Sequence, residues 1–86
     1  MVDFQVAESV IEGGLILQVE GGTVLDCLKA ACSEDGRLSV IFQPLFSSRA
    51  SLLLVIVDGV AWRSDLLELE REVMSEVVVF SAIAGG

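Results

Sequence analysis

The chain has 86 residues, a net charge of −8, 53% hydrophobic residues and a mean hydropathy of +0.74. That bounds it to one small domain able to bury an apolar core, and it excludes a disordered segment, which needs low hydrophobicity. The five basic residues are scattered singly, so no clustered phosphate-neutralising surface for nucleic acid exists.

In chain order, Val2, Phe4 and Val6 alternate with Asp3 and Gln5, the period of a half-buried strand. Glu12-Gly13-Gly14 supplies turn chemistry, and Leu15, Leu17 and Val19 repeat the period of two. A β-hairpin follows from these, broken by Gly21-Gly22. Thr23 is placed as a helix N-cap with Asp26 three residues on, a short-armed capping box. Val24, Leu25, Leu28, Ala31 and Cys32 form the apolar stripe of a helix running to about Asp35, with Gly36 expected in the left-handed position that ends it.

Leu38-Ser39-Val40-Ile41-Phe42 reads either as a short strand or as an irregular packed segment, and Pro44 with Ser47-Ser48 predicts a loop carrying Leu45 and Phe46. Leu52 to Val57 is a continuous apolar strand, buried on both faces or covered by a partner. It is also the longest apolar run in the chain, far short of the roughly 18 residues a membrane helix needs. Asp58-Gly59 is a hairpin turn, and Val60-Ala61-Trp62 begins the return. Between Ser64 and Ser75 a strand pattern (Leu67, Leu69, Arg71, Val73) competes with a short helix capped by Asp65 and Glu68. Glu76 to Phe80 is a strand by its β-branched content and runs into Ser81-Ala82-Ile83-Ala84-Gly85-Gly86. The order predicts an α+β domain with one main helix laid across a four- or five-stranded mixed sheet. Met1-Val2-Asp3-Phe4 carries no basic segment before an apolar stretch, so a cytoplasmic protein is expected.

Candidates for chemistry are few. Cys27 and Cys32 sit five apart on the helix, so their side chains diverge by about 140° and cannot bridge. Histidine and tyrosine are absent, and the run Glu68, Glu70, Glu72 reads as a solvated face. No metal site, no bound cofactor and no catalytic residue is expected. The acidic balance suits basic surfaces on protein partners, or serves solubility alone.

The Gly13-Gly14 hairpin, the Gly22-Thr23-Val24-Leu25 helix start, the Val57-Asp58-Gly59-Val60 turn and above all Val79-Phe80-Ser81-Ala82-Ile83-Ala84-Gly85-Gly86 carry a resemblance that spans the whole chain. The sequence resembles the sulfur-carrier branch of the ubiquitin-like, β-grasp superfamily, which includes the small subunit of molybdopterin synthase and the sulfur carrier of thiazole biosynthesis. The resemblance implies a β-grasp body over residues 1–82 and an exposed flexible tail over 83–86. It implies that Gly86 is the carboxylate that an adenylating (E1-like) enzyme activates with ATP and that sulfur then converts to a thiocarboxylate. Gly85 and Ala84 would form the slender neighbouring section, since residues without bulk let backbone enter a narrow active site.

A second partner, the sulfur-acceptor subunit of a synthase, is implied in turn, and Phe80, Ile83 and Phe46 are expected at partner contacts. The ending Ile83-Ala84-Gly85-Gly86 is closer to the thiazole type, whereas the length and the segment Arg37 to Ser51 are closer to the molybdopterin type. Where family members have an Asp-Gly-Asp-type turn before the last strand, this chain has Val73-Met74-Ser75-Glu76. Two other readings stand beside the carrier. One is a protein modifier joined to a lysine through Gly86, for which the single lysine, Lys29, gives little support to branched self-chains. The other is an acidic interaction domain whose glycines are incidental.

Overall fold

The computed structural model describes residues 1–46 and 53–81, with the side chains of residues 44–46 and 65 not described. Within these residues the first strand, β1 (Val2–Val6), pairs antiparallel with β2 (Leu15–Val19) across the predicted hairpin. Gly13 and Gly14 both take positive φ, 82° and 67°, which is what admits the tight return. The last strand, β7 (Glu76–Ser81), lies parallel to β1 and antiparallel to β4 (Leu53–Val57). β5 (Val60–Arg63) returns from β4 through Asp58 and Gly59, both at positive φ (50° and 87°), as a two-residue hairpin demands. The outcome is a mixed five-stranded sheet in the order β2-β1-β7-β4-β5, with β7 at its centre.

The helix α1 (Val24–Glu34) starts as its sequence dictates. Thr23 Oγ1 accepts from the Asp26 amide, and the Asp26 carboxylate accepts from the Thr23 amide. The two remaining free amides of the first turn are also met: Val24 donates to the Arg71 carbonyl and Leu25 to the Leu69 carbonyl. The segment that supplies those carbonyls is held by a two-residue antiparallel pairing, β3 (Gly22–Thr23) with β6 (Glu72–Val73). The stretch that sequence left between strand and helix therefore divides: Ser64–Leu66 is a 3₁₀ turn, a second turn is closed by the Arg71 amide donating to the Glu68 carbonyl, and Glu72–Val73 form β6.

Two expectations are corrected. Gly36 is not a left-handed helix terminus; φ at Gly36 is not positive, and Asp35 is extended. Residues 37–46, expected as strand, packed irregular segment or loop, form a second helix, α2 (Arg37–Phe46), which includes Pro44. Asp35 explains the start: its Oδ1 accepts from the Arg37 amide at 3.0 Å and its carbonyl accepts from Leu38, so the residue that ends α1 also caps α2. Leu38, Ile41 and Phe42 then share one face at helical spacing, and Leu38 and Phe42 are fully buried. Two helices, not one main helix, cover the sheet.

The core lies between this helical layer and one face of the sheet. Val2, Phe4, Val6, Val55, Val57, Val77 and Val79 point into it from the strands, and Val24, Cys27, Leu28 and Ala31 from α1. Phe42 reaches Phe4 edge-on, with ring centroids 5.9 Å apart. Among the described residues no polar or charged side chain is buried in the core, and no helix is long and apolar enough to cross a membrane.

Candidate docking face

Strand periodicity sends every second residue away from the helices, and here those residues are largely apolar. The register aligns Ile16, Gln5, Val78, Ile56 and Ala61 in one row across all five strands. A second, shorter row joins Phe80 to Leu54 and Arg63. No described helix covers this face. Ile16 is 74% exposed, while Val78, Ile56, Leu54 and Phe80 are half-buried. Asp3, Gln18 and Glu76 give its opposite end a polar, mainly acidic rim. The face is thus apolar along its centre with a polar, mainly acidic margin at one end, a candidate for contact with a partner.

Phe80 is thereby placed on the open face, at the end of the sheet where β7 finishes. Phe46 is the last residue of α2, in the helical layer, and its side chain is not described. Ile83, Ala84, Gly85 and Gly86 lie outside the described residues. The contributors that sequence reasoning missed are Ile16, Ile56 and Val78. The signal for Ile56 and Val78 was available, since Leu53–Val57 and Val77–Phe80 are apolar at consecutive positions, which dresses both faces of a strand. Ile16 carried a weaker one, because it stands between Leu15 and Leu17 on an otherwise alternating strand. Phe42 and Trp62 belong to the other side. Phe42 is in the core, and Trp62 packs half-buried at the core margin beneath the Arg71 guanidinium, 5.0 Å from its ring centroid.

Neither thiol is a reactive group. Burial raises the Cys27 pKa above its ordinary value, and its sulfur donates weakly to the Glu20 carbonyl at 3.9 Å. Burial likewise raises that of Cys32, partly offset by the Ser39 hydroxyl, so the thiol in the ≈ 580 Å³ groove between α1 and α2 stays protonated. Among the described residues no group of three His, Cys, Asp or Glu is arranged to hold a metal ion. No protein-family model, no curated protein and no solved structure matches the chain.

Proposed function

We propose that the chain is a β-grasp sulfur carrier whose Gly86 carboxylate is charged by an adenylating enzyme and unloaded by a synthase subunit. The observation that carries the reading is the strand order. A central strand, β7, parallel to the first, ends at Ser81 in the middle of one sheet end, beside the apolar face that no described helix covers. A partner seated on that face would have the final residues within reach, so recognition and delivery fall on one side of the molecule. The absence of histidine and the two protonated thiols fit a protein that is acted upon.

The chemistry asks little of the carrier. The Gly86 carboxylate attacks the α-phosphorus of ATP, pyrophosphate leaves, and an acyl-adenylate forms. A persulfide sulfur then displaces AMP, and a thiol cleaves the resulting S–S bond to leave the thiocarboxylate. The reading requires Gly86 to bear the chain's α-carboxylate in the working protein, and Ala84-Gly85-Gly86 to pass where bulk would be stopped.

The test is intact-mass analysis after incubation with an adenylating enzyme, ATP and a persulfide donor. Exchange of one terminal oxygen for sulfur is the expected product, abolished by one residue added after Gly86. A product in which the chain is joined to a lysine of another protein selects the modifier reading instead. No covalent change with any such enzyme overturns both.

A further inference from the structure

β7 lies between β1 and β4, so its odd-numbered residues turn their peptide groups toward β1. Along that seam the Ser75 carbonyl accepts from Asp3 at 3.0 Å and the Val79 carbonyl accepts from Ala7 at 2.9 Å. The next group is the Ser81 N–H. In a continued parallel ladder its acceptor would be the Ala7 carbonyl. That carbonyl is already committed to the turn in which β1 leaves the sheet, accepting from Val10 at 2.9 Å and Ile11 at 3.1 Å. Ser81 donates instead to Ser9 Oγ, at 3.1 Å. A side chain thus supplies the rung that the departing strand no longer can. The turn that presents Ser9 is itself anchored, because Ile11 is only 6% exposed and its carbonyl accepts from Gly14.

We infer that Ser9 is a positioning residue for the terminal group: its hydroxyl ties down Ser81, where β7 ends. The inference rests on the carrier reading. Ser81 stands opposite Leu53 in the β4 register, and the Ser9 bond carries the β1-side hydrogen bonding to the end of β7. Five residues then span at most about 17 Å to the final carbonyl. A fixed root confines that carbonyl to a small volume around the docked partner, which raises its effective concentration in the partner's active site. Without the bond Ser81 loses its tie to the Ser9 turn, and a docked carrier delivers its end less often.

The experiment compares the full chain with S9A and S9T in two measurements. One is amide exchange at Ser81 by NMR. The other is steady-state thiocarboxylate formation, by intact mass, with an adenylating enzyme that charges the wild type. In S9A the Ser81 protection is expected to fall about fivefold and kcat about tenfold, with KM unchanged because the open face is untouched. S9T, which keeps a hydroxyl, restores both. A charged wild type with S9A equal to it in kcat overturns the inference and leaves the carrier reading standing, as does unchanged exchange at Ser81. An S9A defect confined to KM also overturns it, since that is a docking effect. A wild type that no adenylating enzyme charges overturns the carrier reading, and the positioning role falls with it.

Discussion

Asp58 holds two turns together at the end of the sheet remote from Ser81. It sits in the β4–β5 hairpin, and its carboxylate accepts from the amides of Met74, Ser75 and Glu76 at 2.7, 2.7 and 3.0 Å and from the Ser75 hydroxyl at 3.0 Å. Consecutive amides converging on one anion favour its charged form. The backbone bonds, from Met74 first, pull the Asp58 pKa down to about 2 from 3.8. A folded-state value below the unfolded one contributes stability that is fully present above about 3.8 and lost as pH falls toward about 2. Asp58→Asn is therefore expected to cost about 1–2 kcal/mol at neutral pH after allowance for solvent screening, a loss of roughly 5–15 °C in Tm. The wild-type advantage should shrink steadily between pH 4 and pH 2 when both proteins are melted across that range. An advantage that stays constant over this window would show that the charge is not what the amides hold.

At the scale of elements, Gly22 and Gly36 separate what the chain demands of glycine at the two ends of α1. Gly22 has φ +149°, and a Cβ there would come within 2.7 Å of Asp26 Oδ2, in the middle of the capping box. Gly36 has no positive φ and open space where a Cβ would stand. Gly36→Ala is expected to raise stability by about 0.4–1 kcal/mol through the unfolded chain. Gly22→Ala should lower it by about 1–2 kcal/mol, by displacing the cap and straining the backbone. Urea titrations of the two variants check both signs, and a destabilised Gly36→Ala would restore the left-handed terminus that sequence suggested.

The strands and α1 were legible because each carries a complete local code: alternation in β1 and β2, Asp58-Gly59 between β4 and β5, Thr23 with Asp26 before the α1 stripe. α2 was not. Ser39-Val40-Ile41-Phe42 has the β-branched and aromatic content of a strand, and Pro44 reads as a breaker. The burial of Leu38 and Phe42 against α1 and Phe4 overrides both preferences. Asp35 was read as the end of a helix, and nothing local announces that it also begins one. The β3–β6 pairing spans two residues on each side and leaves no period to detect.

At the scale of the whole molecule, the two faces of the sheet answer different demands. Valines fill the helix side at Val55, Val57, Val77 and Val79, yet the open side is nearly as apolar, with Ile16, Leu54, Ile56, Val78 and Phe80. Stability alone does not call for the second set, because an apolar row that no described helix covers gains little burial and exposes the protein to unwanted association. The proposed docking would call for it. Val78 stands at the middle of the five-strand row, and the aliphatic stem of a lysine placed there can lie along the sheet with its ammonium in water. Val78→Lys is therefore expected to keep the wild-type circular dichroism spectrum while a desolvated cation at the interface centre weakens the encounter. KM for thiocarboxylate formation should rise about 10- to 30-fold, with kcat within about twofold, because the Ser9–Ser81 root is untouched. That split is the reverse of the one expected for S9A. A Val78→Lys protein charged with wild-type KM would mean that the partner approaches from elsewhere, and the open face would then need another explanation for its apolar residues.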